Sequence, residues 1–253
     1  MIMPGCAATG ASTWLAPPAK LRLDRDEVHV WRVWLDAQAL DLESLGRSLS
    51  DDERTRAGRF VFVKDRRAFI ATRGLLRRLL AWYLGEDPSR LRFQYGPRGK
   101  PALDPAVLPD VCFSVSHSHG LALLAMTRGR NIGIDVEHIN DDADCERIAT
   151  RFFSAQEAGT LRSLPDGLRC AAFFACWARK EAFVKATGEG ISRPLDSFEV
   201  SCAPHEPAAL LSVGGEAQAA RMWSVRDLCA DPGYAAAVAT EGRESRLTCY
   251  HWR

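Results

Sequence analysis

The chain has no apolar run of the ~18–20 residues that a membrane-spanning helix needs, so a helical span is not expected. It also lacks an excess of either charge. Thirty-three Lys and Arg stand against 32 Asp and Glu, a net charge of +1, and no whole-molecule field favours nucleic acid. Eight cysteines are present, but none is spaced C-x-x-C, which disfavours a zinc site. Cys112, Cys170 and Cys176 lie in apolar patterns where a thiol acts as a small hydrophobe, and the cysteines are expected to be reduced in a cytoplasmic protein. A Walker loop and a G-x-G-x-x-G fingerprint are both missing. The opening "MIMPGCAATGASTWLAPPAK" has neither a charged leader nor a sustained apolar core, so residues 1–20 are expected to form a loose N-terminal arm.

What remains is a 253-residue chain with the composition of an ordinary globular protein, 47% hydrophobic and 26% charged. Its patterns occur twice. Ser50 with Glu53, and Ser154 with Glu157, each form the Ser-x-x-Glu signature of a capped helix start. Each is followed by a long amphipathic helix, "DRRAFIATRGLLRRLLAWYLG" and "LRCAAFFACWARKEAFVKATG", stopped by Gly85 and Gly188. A strand precedes each helical section, "VHVWRVWL" (28–35) and "NIGIDVEHI" (131–139). A hairpin pattern follows each, at 112–129 and 222–242. The shared order predicts an α+β fold of two similar halves, residues 21–129 and 130–253.

Packing residues should recur between such copies, and residues added for chemistry need not. Three polar features break the symmetry. In "NIGIDVEHI", Ile132, Ile134 and Val136 alternate as a buried strand should, while Asp135 and Glu137 share the opposite face with Gly133. A glycine there lets a ligand or a backbone approach closely. In the second long helix, Phe173, Trp177, Glu181 and Lys185 recur every four residues, so the last two extend a core-facing stripe. Two strand carboxylates plus Glu181 make a partial oxygen shell suited to Mg²⁺, which would remove the repulsion between the paired acids. The turn in "FSVSHSHG" presents Ser116 and His117 as donors to an anion. The loop "YGPRGKPAL" adds Arg98 and Lys100. Nine basic residues between Arg54 and Arg78 predict a local positive surface for phosphates or an acidic protein. A cation centre beside a phosphate cradle points to phosphoryl-type chemistry. A Mg²⁺-dependent phosphodiesterase or nuclease, and a non-catalytic module that binds an acidic protein, use the same residues.

The motifs "GIDVE", "WARKEAFVKATGEGI", "GKP" and "FSVSHS", together with the Arg-rich section at 49–62, resemble the 4′-phosphopantetheinyl transferases of the surfactin-synthetase-activating, W/KEA type. The resemblance spans roughly residues 28–240. It implies a monomeric pseudo-dimer of two α+β halves with the active site between them. It also implies transfer of the 4′-phosphopantetheine arm of coenzyme A to a serine of an apo acyl or peptidyl carrier protein, releasing adenosine 3′,5′-bisphosphate. By the same resemblance, Asp135, Glu137 and Glu181 hold Mg²⁺ and Glu181 serves as general base. Lys185 stabilises the diphosphate and the leaving phosphate. Ser116 and His117 contact coenzyme A phosphates, and Arg98, Gly99 and Lys100 line the adenine and 3′-phosphate pocket, with Arg56 reaching the 3′-phosphate. The sequence departs from the family at Ser114, where asparagine is usual.

Overall fold

Both Ser-x-x-Glu signatures form reciprocal capping boxes, and the structure, a computed structural model, describes residues 12–36, 40–104, 110–242 and 245–252. The first half runs β2 (Glu27–Trp34), α1 (Leu42–Arg47), α2 (Asp51–Gly58), α3 (Val63–Leu84), a small hairpin β3 (Phe93–Tyr95) and β4 (Pro101–Leu103), then a long hairpin β5 (Val111–Ser118) and β6 (Leu121–Arg128). The second half repeats this order. It runs β7 (Ile132–His138), α4 (Cys145–Phe152), α5 (Ala155–Ser163), α6 (Asp166–Thr187), β8 (Phe198–Val200), β9 (Leu210–Val213), a short α7 (Ala217–Ala220), and the hairpin β10 (Trp223–Asp227) and β11 (Tyr234–Glu241). Both long helices have 22 residues and end at a left-handed glycine, Gly85 at φ 67° and Gly188 at φ 72°. A side chain would be strained there, which is why both copies keep glycine.

Strand pairing repeats as well. In each half the last hairpin strand sits between its partner and the first strand, giving β2-β6-β5 and β7-β11-β10. The two sheets face each other through Val28, Val30, Leu121, Leu123, Ile132, Ile134, Val136 and Val238. Helix α3 covers the outer face of the first sheet with Leu75, Leu76, Leu79 and Leu80. Helix α6 covers the second with Phe173, Cys176, Ala178 and Ala182, among others.

One buried ion pair recurs at the same helix position in each half. The capping-box Glu53 accepts from Arg77 at 2.6 Å, and Glu157 lies 2.7 Å from Lys180; all four side chains are at most 3% exposed. Arg77 and Lys180 are each the fifteenth residue of a 22-residue helix. Each also donates to two carbonyls of the segment after its helix: Pro88 and Leu91 for Arg77, Leu195 and Phe198 for Lys180. A buried cation is tolerated only when its donors are satisfied; these carbonyls with Glu157 take all three protons of Lys180, and for Arg77 they take both protons of one guanidinium nitrogen. The pair therefore pins the short helix and the chain after the long helix to one point. Arg73 joins Glu53 at 3.3 Å. The expected positive surface is accordingly smaller than nine residues, because Arg73 and Arg77 are interior counter-ions.

Two segments and one cysteine depart from the sequence expectation. A last strand, β12 (Arg246–His251), leaves the second half and pairs in parallel with β2. Within the expected loose arm, Trp14–Leu15 form a short β1 on β12, and the Trp14 indole donates to the Cys229 carbonyl. The five-stranded sheet is thus β1-β12-β2-β6-β5. Cys229 is disulfide-bonded, whereas Cys112, Cys145, Cys170, Cys176, Cys202 and Cys249 are free thiols as expected. Among the described residues no helix is long and apolar enough to cross a membrane.

Helix α6 lies unusually close to β7 because the strands beneath it present small residues. Gly133 faces Ala239, Asp135 faces Ala237, and Glu137 faces Ala235 across the ladder. A Cβ at Gly133 would lie 2.0 Å from the Ala182 carbonyl oxygen and 2.3 Å from the Ala186 nitrogen. The close approach that the glycine allows is therefore that of the helix backbone. Gly133→Ala is expected to cost about 3 kcal/mol or more through overpacking. Gly159→Ala, on the exposed face of α5 with nothing within 4 Å of its added methyl, is expected to stabilise by about 1 kcal/mol. Urea denaturation of both variants checks this, and equal midpoints would contradict it. Lys180→Met, which leaves Glu157 buried without its counter-ion, is expected to cost about 3–5 kcal/mol in the same assay.

Candidate active site

The close contact between β7 and α6 brings the strand acids to the helix residues. Asp135 is 2% exposed, not solvated on a strand surface. Its Oδ1 accepts from Lys185 Nζ at 2.6 Å and from Ser116 Oγ at 2.9 Å. Lys185 also donates to Ser116 Oγ at 2.9 Å, so lysine, serine and aspartate close a three-membered ring of hydrogen bonds. Asp135 Oδ2 is buried with no hydrogen-bond partner. An orphaned carboxylate oxygen inside a protein is costly, and a divalent cation is the partner that suits it.

Glu137, one pleat further on, is half-buried, and its carboxyl is pushed up to about 7. Burial is the main cause and the Asp135 charge the next; Glu181 adds to the effect, while Ser118 and Lys185 oppose it. Glu181, one helical turn before Lys185, is half-buried and also raised, first by desolvation and then by Asp135, against the pull of Lys185. The three acids therefore sense one another. Their oxygens do not all fall within 4.8 Å in this cation-free arrangement. Among the described residues the group that meets that criterion is Glu157, Cys176 and Cys202, where Lys180 already neutralises the glutamate. The donor set at β7 and α6 is nonetheless oxygen-only, and it carries the orphaned atom. It fits Mg²⁺.

The other expected site residues divide into two groups. Ser116 stands at the centre. His117 is exposed beside it, and desolvation and the Lys185 charge hold its pKa below the ordinary value, against a weaker pull from Asp65 at the start of α3. Arg56 is exposed on α2, its guanidinium over the Phe69 ring. Lys100 behaves differently. Its ammonium donates to the carbonyls of Ile132, Lys185 and Ala186, so all three protons are committed to clamping the end of α6 to the start of β7. Arg98 donates to the Glu189 carbonyl, and Gly99 holds φ 82° in the tight turn between β3 and β4. In this arrangement the 98–100 loop rests against the C-terminal end of α6.

Sequence reasoning noted Ser114 only as a departure from the family and missed Ser118, on the same face of β5. Ser114 Oγ accepts from the Ile134 amide and Ser118 Oγ from the His138 amide, both at 3.1 Å. With Ser116 they form a row of hydroxyls that joins the edges of the two sheets in place of a backbone ladder. The alternation Ser-x-Ser-x-Ser in "FSVSHS" carried that signal.

These features agree with what the chain is similar to. Residues 131–239 match the model of the 4′-phosphopantetheinyl transferase superfamily, and residues 33–128 match that of the 4′-phosphopantetheinyl transferase N-terminal domain. The chain belongs to the 4′-phosphopantetheinyl transferase family. It is 45% identical over 231 residues to the 4′-phosphopantetheinyl transferase HetI of Nostoc sp., covering 91% of this chain and 94% of that protein. Over 199 residues it is 34% identical to the transferase psf-1 of Bacillus pumilus, covering 79% and 82%. A Bacillus subtilis 4′-phosphopantetheinyl transferase is 32% identical over 173 residues, covering 68% and 75%.

A carboxyl raised in the folded state keeps its proton there after the unfolded chain has lost it. Glu137 therefore lowers the stability of cation-free protein as pH climbs from about 4.5 to about 7. Glu137→Gln is expected to raise the Tm of chelator-treated protein at pH 8 and to leave it unchanged at pH 4. Calorimetry at the two pH values checks this; an equal gain at both would contradict the assignment.

Proposed function

We propose that the cleft between the halves transfers the 4′-phosphopantetheine arm of coenzyme A to a serine hydroxyl of an apo carrier protein, acyl or peptidyl, in the manner of the W/KEA branch. The observation that carries this reading is Asp135, buried and bound to Lys185 through one oxygen while the other has no partner. Asp135, Glu137 and Glu181 would hold Mg²⁺. When bound, the cation would offset the charge of the diphosphate and polarise the phosphorus under attack.

The remaining work falls to the chain's own residues. Glu181, beside Lys185 and Asp135 at the site, would accept the serine proton directly or through a water. The serine oxygen bonds to the phosphorus attached to pantetheine, and the bond to the bridging oxygen breaks, releasing adenosine 3′,5′-bisphosphate. Lys185, the cationic member of the ring, would stabilise the leaving phosphate. His117 would donate to a phosphate oxygen, and Ser116 would do so by redirecting the proton it now gives to Asp135 Oδ1. Arg98, Gly99, Lys100 and Arg56 would border the adenosine end, with Lys100 exchanging a carbonyl for a phosphate oxygen if it contacts the ligand. The two covalently linked halves make a second chain unnecessary, which supports a monomer, and coenzyme A as substrate agrees with a cytoplasmic location.

The test incubates an apo carrier protein with this chain, coenzyme A and Mg²⁺, then weighs the carrier. A mass gain of one phosphopantetheine arm, lost on chelation, is expected; no gain across fatty-acid, polyketide and peptide carriers would overturn the reading. Glu181→Gln is expected to lower kcat by about 100-fold or more while the Kd for coenzyme A moves by less than about threefold. An unchanged kcat would remove Glu181 from the role of base.

A further inference from the structure

The hydroxyl row on β5 does more than join two sheet edges. At Ser118 the hydroxyl oxygen accepts from the His138 amide at 3.1 Å. With that lone pair taken by a fixed backbone donor, its single proton is free for an acceptor. Glu137 Oε2 lies 3.2 Å away, and among the described residues the other acceptor it meets is His119 Nδ1 at 3.4 Å. At Ser116 the pattern recurs: Lys185 donates to the hydroxyl, and the hydroxyl donates to Asp135 Oδ1. Each strand acid is thus held through one oxygen by a serine of β5 that is itself held by an N–H. For Asp135 the other oxygen is the orphaned Oδ2.

We infer that Ser118 is a positioning residue for Glu137: it fixes the carboxylate by Oε2 and leaves Oε1 for the divalent cation. The inference rests on the metal assignment proposed above. A glutamate has three rotatable side-chain bonds, and one that is unrestrained must be ordered each time a cation binds. A hydroxyl already anchored to the backbone removes most of that cost, as outer hydrogen bonds to metal ligands do elsewhere. Ser118 itself touches neither coenzyme A nor the reacting atoms in this role.

Mn²⁺ titrated into the protein alone, followed by electron paramagnetic resonance, reads the effect without turnover. Ser118→Ala is expected to weaken Mn²⁺ binding by about 10-fold or more, within the range seen when such outer partners are removed. Ser118→Thr, which keeps the hydroxyl, is expected to restore the affinity to within about twofold of the parent. The Tm of the chelated Ser118→Ala protein is expected to stay within a few degrees of the parent. His119→Gln, which removes the competing imidazole acceptor, is expected to leave Mn²⁺ affinity unchanged. Unchanged affinity in Ser118→Ala overturns the inference, as does an affinity loss that threonine does not rescue. A parent protein that binds no Mn²⁺ fails the metal assignment itself, which separates that failure from this one.

Discussion

Everything at the site depends on one close contact, the passage of the α6 backbone over Gly133. Any side chain at that position would meet the Ala182 carbonyl at 2.0 Å. Because the contact is backbone to backbone, it fixes the height of the helix above the strand. The height then decides that Asp135, one pleat along, reaches Lys185 at 2.6 Å. The alanines opposite, Ala235, Ala237 and Ala239, keep the rest of the face equally shallow. A strand with bulky residues there would push α6 away and separate the acids from the lysine. Close packing thus sets the electrostatics of the site.

The scaffold around that contact is built twice, and the two copies show what is structure and what is chemistry. Glu53 with Arg77 repeats as Glu157 with Lys180, down to the helix position and the two carbonyls each cation satisfies. One residue further along, the copies diverge. The sixteenth and twentieth positions of the long helices are Arg78 and Trp82 in the first half, Glu181 and Lys185 in the second. Arg78 donates to Ser44 and Trp82 packs near Trp31, both structural roles. The buried pair holds the helix in place, so the neighbouring turn can carry the charged groups proposed to act in transfer.

Much of this was legible in the sequence. Period-two alternation located Asp135 and Glu137 on one face, and the four-residue stripe through Phe173 and Trp177 located Glu181 and Lys185. The capping boxes and terminal glycines marked the repeat. What the sequence hid was partnership. Glu53 and Glu157 read as helix caps because their second role depends on cations 24 and 23 residues away. Arg73 and Arg77 read as surface charge because no local pattern separates a buried arginine from an exposed one. Lys100 read as a free cation, but three carbonyls at the end of α6 take its protons. The return of β12 to the first sheet is a parallel pairing of distant segments, which leaves no local signature.

The most direct test is a crystal of the protein grown with coenzyme A and Mn²⁺, with the cation located by anomalous scattering. A single peak bonded to Asp135 Oδ2 and to carboxylate oxygens of Glu137 and Glu181, with diphosphate oxygens completing the shell, is the predicted result. A peak elsewhere, at Glu157 and its neighbouring thiols for example, or the three carboxylates still apart around bound coenzyme A, would contradict it.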